Sequence, residues 1–334
     1  TGEVVITVNG VDYHVAIENG KATGTIGGLV AGDYTVTVKY AGDDKYTAVE
    51  IAKGVNVAKA QPVLGVVIAD VDYGNGFVIE ATLTGVNGAP LSGNVIVTVA
   101  GKEYTVKVTD GKGIATGDKL AAGTYGFAAV WAGDDNYNIV TENGDFKVNK
   151  VDSAIDVAVS DIKVGEDAVI SVKLASDATG EVVITVNGED YTAAIENGVA
   201  SVTVSDLKAG DYTVTVKYSG DNNYNEANAD AEFSVSKISD YNMDISVPEI
   251  KEGVNSTIGV DLPKDATGTV TVEIDGKKYT VNVIDGTANV IVSGLSAGDY
   301  NITTVYSGDA KYDSMTKKGN VTVIPNINVN LDVS

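Results

Sequence analysis

Branched aliphatic residues alternate with variable residues in four separate stretches of the chain. In each stretch three of them occupy every second position: Val4, Ile6 and Val8; Val95, Val97 and Val99; Val182, Ile184 and Val186; Val270, Val272 and Ile274. Alternation with period two is typical of a β-strand that buries one face. Asn9-Gly10 and Asn187-Gly188 follow two of these stretches, and Asn-Gly after an alternating run is a strong hairpin signal. The pattern predicts an all-β protein.

Two motifs recur along the chain with the same spacing. The motif Leu-x-Ala-Gly-x-Tyr ends at Tyr34, Tyr125, Tyr212 and Tyr300, so its copies are 91, 87 and 88 residues apart. The motif Gly-Asp-x-x-Tyr ends at Tyr46, Tyr137, Tyr224 and Tyr312 with the same separations. A period near 88 residues is too long for a solenoid turn or a propeller blade and fits a small β-sandwich. The chain is therefore predicted to be a tandem array.

The third repeat illustrates the strands that we expect in a complete unit. We predict seven strands: A near residues 154–160, B near 168–174, C near 181–186, two more near 191–195 and 200–204, F near 212–218 and G near 231–236. Seven short strands separated by turn signals are typical of an Ig-like β-sandwich. The predicted fold class is therefore all-β, a tandem array of Ig-like seven-stranded β-sandwich domains. We place complete domains at 59–149, 150–237 and 238–324, an incomplete domain that lacks strands A and B at 1–58, and the first strand of a further domain at 325–334.

The chain is out of phase with its own repeats. Thr1-Gly2 aligns with Thr179-Gly180, where the third strand of the third repeat begins. We therefore expect that residues 1–58 do not form an independent closed domain. Two explanations are open: a window of a longer array, or strand addition in which residues 325–334 of one chain enter the first unit of the next. The second supplies only one of two missing strands, which favours the longer array.

The Leu-x-Ala-Gly-x-Tyr motif has a structural interpretation. It is similar to the tyrosine corner, in which a tyrosine at the start of strand F bonds back across the preceding turn through its hydroxyl. From Tyr212 the alternation continues through Val214 and Val216 to Tyr218, and Trp131 replaces that last tyrosine in the second unit. We expect these alternate side chains to face the core.

Two further segments carry a resemblance to a known family. They are the run Val86-Asn87-Gly88-Ala89-Pro90-Leu91-Ser92-Gly93 and the motif Tyr-Ser-Gly-Asp-x-x-Tyr at Tyr218–Tyr224 and Tyr306–Tyr312. Both resemble the Ig-like repeats of bacterial and archaeal surface proteins, and most of all those of the adhesin-like proteins of methanogenic archaea. The resemblance implies an Ig-like fold and an extracellular, cell-surface location. It brings no catalytic residues to carry over.

Composition excludes several classes of function. The 334 residues carry a formal net charge of −23, with 23 lysines, no arginine, no cysteine and one histidine, His14. Such an acidic chain without arginine is not expected to bind nucleic acid. The absence of cysteine excludes disulfides, thiolate zinc sites and a cysteine nucleophile. No apolar run is long enough to span a membrane, and we predict no enzymatic activity and no cofactor.

The Gly-Asp-x-x-Tyr loops contain the candidate metal ligands. Clustered carboxylates at the end of a domain are the kind of ligands that Ca²⁺ prefers. The candidates are Asp43, Asp44, Asp134, Asp135, Asp221 and Asp309, although no loop has the spacing of a known calcium loop. The alternative is an Asx-type turn in which the tyrosine packs back on the sandwich, so the fold is not expected to require a metal.

Three other features suggest chemistry at the surface. Asn255, Asn301 and Asn320 begin glycosylation acceptor patterns. A covalent Lys–Asn cross-link needs a buried lysine, but the strand lysines Lys173 and Lys217 occupy outward positions. The most divergent stretch, residues 70–91, is the first place to look for specific binding.

These observations favour a non-enzymatic stalk segment of a cell-surface adhesin or extracellular filament. Its partners are then neighbouring copies or repeats of the same protein, together with a cell-surface glycan or protein. Short junctions such as Lys150-Val151-Asp152 lack Gly/Ser runs and predict a semi-rigid array. The alternative is a glycan- or protein-binding module that acts through loops at the ends of its domains.

Overall fold

The computed structural model describes residues 2–327, which form strands and turns with a single short 3₁₀ helix at Val86–Gly88. The described part of the chain contains no α-helix. It divides into two compact units, Thr1–Val151 and Asp152–Ser334.

The first unit contains twelve strands. They are β1 (Glu3–Val8), β2 (Val11–Ala16), β3 (Gly32–Tyr40), β4 (Val49–Val57), β5 (Val63–Ile68), β6 (Val71–Asp72), β7 (Gly76–Thr84), β8 (Gly93–Val99), β9 (Lys102–Val108), β10 (Lys112–Lys119), β11 (Gly123–Trp131) and β12 (Val140–Asn149). They form one sheet of order β2-β1-β3-β4, called here the first sheet, and a second domain with sheets β10-β7-β5 and β6-β12-β11-β8-β9.

The second unit contains sixteen strands within its described residues. They are β13 (Asp156–Ala158), β14 (Ile162–Lys163), β15 (Ala168–Lys173), β16 (Glu181–Val186), β17 (Glu189–Ala194), β18 (Val199–Val204), β19 (Gly210–Tyr218), β20 (Ala227–Ser236), β21 (Asp244–Ser246), β22 (Ile250–Lys251), β23 (Ser256–Asp261), β24 (Thr269–Ile274), β25 (Lys277–Asn282), β26 (Thr287–Val292), β27 (Gly298–Tyr306) and β28 (Met315–Ile324). They form the third and fourth domains.

The third and fourth domains share the strand order of an Ig-like β-sandwich. The third has a three-stranded sheet β13-β15-β18 and a five-stranded sheet β14-β20-β19-β16-β17, and the fourth has β21-β23-β26 and β22-β28-β27-β24-β25. The strand predicted at 154–160 is observed at Asp156–Ala158 and joins the smaller sheet. A separate short strand beyond the predicted range, Ile162–Lys163, pairs parallel with β20 in the larger sheet. The chain thus changes sheets between β13 and β14.

The predicted alternation is confirmed in the third domain. Val182, Ile184, Val214 and Val216 are fully buried between the two sheets, and Tyr212 is half-buried at the end of the sandwich. Aliphatic clusters of the same kind fill the second and fourth domains.

The hairpin and corner predictions are also confirmed. The Asn-Gly pairs after β1 and β16 have positive φ at both positions, as the tight β-hairpin turn requires. The corner tyrosine of every repeat donates from its hydroxyl to the carbonyl four residues earlier, at 2.9–3.0 Å; the pairs are Tyr34–Val30, Tyr125–Ala121, Tyr212–Lys208 and Tyr300–Ser296.

The first sheet differs from the other domains. Residues 22–30, which correspond to β18 of the third domain, form no strand, and no smaller sheet lies within residues 2–58. The observed strands fall within the domain ranges predicted from the sequence, and those boundaries stay a prediction. Of the predicted strand at 325–334, residues 325–327 form no strand and residues 328–334 lie outside the described part of the chain.

Candidate functional site

Each Gly-Asp-x-x-Tyr segment forms the turn between the last two strands of its repeat. We call these four turns, residues 42–46, 133–137, 220–224 and 308–312, the acidic loops. In each loop the first aspartate donates its amide to the tyrosine carbonyl, and its Oδ1 accepts the amides two and three residues later at 2.7–2.9 Å. A carboxylate that bonds to its own backbone in this way closes an Asx-type turn.

The third and fourth domains add a second set of donors. The Oδ2 of Asp221 accepts the amide of Thr179 at 2.8 Å and its hydroxyl at 2.9 Å. Asp309 accepts the same two groups of Thr267 at 2.7 and 3.0 Å. In both domains the carboxylate therefore connects the acidic loop to the segment just before strand C, which is β16 in the third domain and β24 in the fourth.

These hydrogen bonds stabilise the ionised carboxylate. Burial opposes ionisation of Asp221, but the amide donors outweigh it and lower the pKa of Asp221 to about 2. The same balance lowers the pKa of Asp309 to about 2. Burial, together with the carboxylate of Asp221, raises the pKa of the neighbouring Tyr218 to about 12.

The tyrosine of the acidic loop has different contacts in different domains. Tyr224 donates to Asp177 Oδ1 at 2.6 Å, and Tyr312 donates to Asp265 Oδ1 at 2.7 Å. In the second domain the 3₁₀ turn at 86–88 lies over Tyr137 instead. A Cβ at Gly85 would lie 2.3 Å from the Tyr137 hydroxyl oxygen, so any larger residue there requires the Tyr137 ring to move. Within the divergent stretch at 70–91, Gly85 and Val86 thus pack against the loop tyrosine, and the hypothesis that the stretch binds a ligand stays untested.

Four of the six calcium candidates accept hydrogen bonds from the backbone of their own turn. Asp43, Asp134, Asp221 and Asp309 accept N–H and O–H donors, whereas the side chains of Asp44 and Asp135 are exposed. Within residues 2–327 no group of three or more His, Cys, Asp or Glu side chains is placed to hold a metal ion. The geometry favours the Asx-turn interpretation, and calcium binding stays an untested hypothesis.

In the first unit, the acidic loop of the second domain contacts the first repeat. Asn136 Oδ1 accepts the amide of Ala31 of the first repeat at 2.9 Å, and within the second domain the Asn136 carbonyl accepts the amide of Ala60 at 2.8 Å. Asn138 donates back to the Ala60 carbonyl at 2.9 Å. A cleft of about 300 Å³ between residues 28–31 and Tyr137 accompanies this contact.

In the second unit, the equivalent loop bonds to the start of its own domain. Ile238 donates its amide to the Lys311 carbonyl at 2.8 Å, as Ala60 does to Asn136. Lys163 Nζ, at the edge of the third domain, lies 2.9 Å from Asp240 Oδ1. A Cβ at Gly165 would lie 3.9 Å from Lys311 Cε. The Lys311 side chain pairs with its own domain, 2.6 Å from Asp265 Oδ2, and the Lys163–Asp240 pair makes the polar contact between the third and fourth domains.

The remaining candidates lie on outer surfaces. Asn255, Asn301 and Asn320 are exposed, and Asn301 and Asn320 are directly opposite each other on β27 and β28. Glycans on both would occupy the same patch. His14 Nδ1 lies 2.9 Å from Glu3 Oε1 at the surface, and the strand lysines at 173 and 217 are exposed as predicted.

Sequence reasoning missed the partners of the acidic loops. Asp177, Thr179, Asp265 and Thr267 all belong to the motif Asp-Ala-Thr-Gly, which occurs at 177–180 and 265–268. At the equivalent position the second domain has Leu91-Ser92-Gly93, which lacks the aspartate and the threonine. This difference in sequence indicates that the loop tyrosine of the second domain has another partner.

Comparisons with known proteins agree with this fold. A family model described as Bacterial Ig-like domain (group 3) matches residues 156–236 and 246–324. A search of curated protein sequences finds no match. Together with the sheet order, the family match identifies the domains as tandem Ig-like β-sandwiches. No helix within residues 2–327 is long and apolar enough to cross a membrane.

Several solved structures are similar over much of the chain. A three-domain titin fragment is 14% identical, covers 81% of this chain and all of its own (100%), with a TM-score of 0.33. Immunoglobulin domains 1–5 of Sidekick-1 are 11% identical over 98% of this chain and 74% of theirs, with a TM-score of 0.32. Invasin, described as a bacterial integrin-binding protein, is 17% identical over 79% of this chain and 60% of its own, with a TM-score of 0.40.

Proposed function

We propose that this chain is a non-enzymatic stalk segment of a cell-surface adhesin or extracellular filament built from Ig-like repeats. One observation carries the proposal: the polar loops at the ends of the domains are occupied by internal hydrogen bonds and by contacts with the neighbouring repeat of the same unit. Asn136 accepts the amide of Ala31 in the first repeat, and Lys163 of the third domain pairs with Asp240 of the fourth. Loops that hold consecutive domains together suit a structural array.

The titratable groups also support a structural function. The carboxylates with the lowest pKa values, Asp221 and Asp309, lie in turns and are surrounded by donors. A general acid or base needs a pKa near the working pH and a cleft for substrate. The net charge of −23 keeps an array soluble and makes separate arrays repel each other.

The cellular location is tested with antibodies raised against the folded chain. We expect them to label intact cells of the source organism and to lose that label after brief treatment of the cells with protease. Labelling that requires permeabilised cells would contradict an extracellular role.

The stalk function is tested by pulling on the full chain. We expect separate unfolding events for the complete domains, each releasing about 300 Å of extended chain for a repeat of 88 residues. A single cooperative event would contradict an array of independent modules. The alternative, a binding module, predicts saturable binding on a glycan array that is lost when the exposed Tyr46 is replaced by alanine.

A further inference from the structure

The second domain exposes aliphatic side chains on the outer side of its smaller sheet, β10-β7-β5. Ile79 and Leu83 of β7 are fully buried on the inner side, so the residues that alternate with them point outward. The exposed aliphatic residues on the outer side are Val63, Val67, Val78 and Ile114. Val67 and Ile114 are exposed to 63% and 68%, and they pair with Glu80 from opposite sides. We call the outer side of residues 63–67, 78–84 and 112–116 the aliphatic face.

The third and fourth domains show that the fold does not require these side chains. The central row across the smaller sheet is Val67-Glu80-Ile114 in the second domain, Ala158-Ser171-Ser201 in the third and Ser246-Gly259-Asn289 in the fourth. The described rows of the latter two sheets hold at most one exposed large aliphatic residue each, Val169, Val199 or Ile291. Exposed aliphatic side chains that are gathered on one face mark an interaction surface.

The charges of the aliphatic face balance each other. Its central rows are Val78-Thr116, Val67-Glu80-Ile114 and Gly65-Thr82-Lys112, so Glu80 and Lys112 are the charged residues among them. These two residues lie in adjacent rows on adjacent strands. The face is therefore locally neutral, although the whole chain has a net charge of −23. An identical face carries the same two charges, so two copies related by a two-fold axis can each bring a carboxylate to the ammonium of the other.

We propose that the aliphatic face binds the aliphatic face of a second copy of this chain, through a two-fold interface of sheet against sheet. Two sheets that pack in this way lie about 10 Å apart and interdigitate their facing side chains. Val67 and Ile114 then fill the space between the sheets, and Glu80 of each copy pairs with the partner's Lys112. A neutral, self-complementary face fits this occupant better than it fits a basic partner, which an acidic face would attract.

The size of the face indicates a weak interface. Three strands about 4.8 Å apart and about seven residues long cover roughly 300 Å² on each copy. A standard protein–protein interface buries about 800 Å² per partner, so we expect a Kd between about 10 μM and about 1 mM. The net charge of −23 on both copies opposes the contact, and salt screens this repulsion but leaves the apolar burial in place. Dimerisation is therefore expected to strengthen as the salt concentration rises.

The proposal goes beyond the stalk function and does not depend on it. It concerns one face of one domain, so it can fail while the stalk function stands. A two-fold contact of this kind closes on two chains. In an array of such repeats it joins two arrays side by side.

Sedimentation equilibrium of the full chain in low and in high NaCl tests the proposal. We expect a monomer–dimer equilibrium whose Kd falls at high salt. Ile114→Asp places a charge in the interface and is expected to raise the Kd at least about ten-fold. Because Ile114 is exposed, this substitution does not require the domain to unfold. Glu80→Lys alone is expected to weaken dimerisation, and Glu80→Lys combined with Lys112→Glu is expected to restore it, because opposite charges again face each other.

Val169→Asp is the matched control. It adds the same charge to the same side of the smaller sheet in the third domain, where Val169 is exposed, and is expected to leave the Kd unchanged. The proposal is overturned by dimerisation that responds equally to Val169→Asp and Ile114→Asp, that weakens at high salt, or that the double exchange of charges does not restore. A chain that stays monomeric up to about 1 mM in high salt also overturns it and leaves the face to a different partner.

Discussion

At the scale of single residues, the aspartate of the acidic loop connects three parts of its domain. Asp221 holds its own turn through two amides and the start of strand C through Thr179. All of these partners donate, so they favour the carboxylate over the carboxylic acid. The stability of the third domain is therefore expected to depend on ionised Asp221.

The sign of the pH dependence follows from the lowered pKa. The pKa of Asp221 is about 2 in the folded chain, against about 3.9 for an aspartate in an unfolded chain. Its contribution is thus fully present above about pH 5 and is lost as the pH falls towards 2. Asp221→Asn is expected to destabilise the third domain by about 1–3 kcal/mol at pH 7 and to flatten its loss of stability in acid.

Hydrogen exchange of peptides spanning residues 179–224, measured across a guanidinium series at pH 7 and pH 3, checks this prediction. The exposed Asp167→Asn is the matched control and is expected to keep the acid dependence of the parent chain. The same acid dependence in Asp221→Asn as in the parent would contradict the assignment.

A buried hydroxyl in the fourth domain leads to a stabilising prediction. Thr304 is fully buried, its Oγ1 has no hydrogen-bond partner, and the third domain has Val216 at the same register position. An unpaired polar group inside a core costs about 1–3 kcal/mol. Thr304→Val is therefore expected to stabilise the fourth domain by about 1 kcal/mol or more.

This change is measured as slower hydrogen exchange in peptides that cover β27. Thr303→Val, on the outer face of the same strand, is the control and is expected to change stability by less than about 0.5 kcal/mol. A loss of stability in Thr304→Val would show that the hydroxyl is not a defect of the core.

At the scale of elements, the alternation of aliphatic residues predicted the bounds of most strands, but it did not predict those of the first and last strand of a domain. The strand predicted at 181–186 is observed at Glu181–Val186. The pair of residues at Ile162–Lys163 is too short to show a period, so the change of sheets was not predicted. The last strand starts at Ala227, four residues before the predicted start. Alanine has a low β-strand propensity, so the sequence gives no strand signal there, and the strand forms because these residues pair with β19.

The acidic loops illustrate a second limit of sequence reasoning. The Asx turn is local, so the spacing of Gly-Asp-x-x-Tyr indicates it. The bond from Thr179 to Asp221 spans 42 residues, and the tertiary fold alone brings these two residues together. That residues 1–58 do not form a closed domain stays a prediction, and the position of residues 22–30 beside the side chains of β1 and β2 was not expected from the sequence.

The two equivalent isoleucines on β1 and β16 test how complete each core is. Ile184→Ala is expected to cost the third domain about 2–5 kcal/mol, because a fully buried side chain leaves a cavity. Ile6→Ala removes the same atoms from a half-open face and is expected to cost less than about 2 kcal/mol. Hydrogen exchange of the two sheets in each variant compares these losses, and equal losses would show that the first sheet is closed.

At the scale of the whole molecule, one acidic loop joins two consecutive repeats of the first unit. Asn136, the residue before the loop tyrosine of the second domain, accepts the Ala31 amide of the preceding repeat. The aspartate at the start of the same loop holds the turn from within. The acidic loop of the second domain thus stabilises its own domain and contacts the preceding repeat, so the two functions are expected to separate by mutation.

Asn136→Ala tests this separation. It removes the acceptor of the Ala31 amide but keeps Asp134, which anchors the turn. We expect the second domain to keep its stability within about 0.5 kcal/mol, while the first sheet moves more freely against it. Residual dipolar couplings report this motion: one alignment tensor describes both parts of the parent chain and two are needed for the variant. Asp135→Ala, exposed in the same loop, is expected to behave like the parent. A single shared tensor in Asn136→Ala would mean that this side chain does not hold the junction.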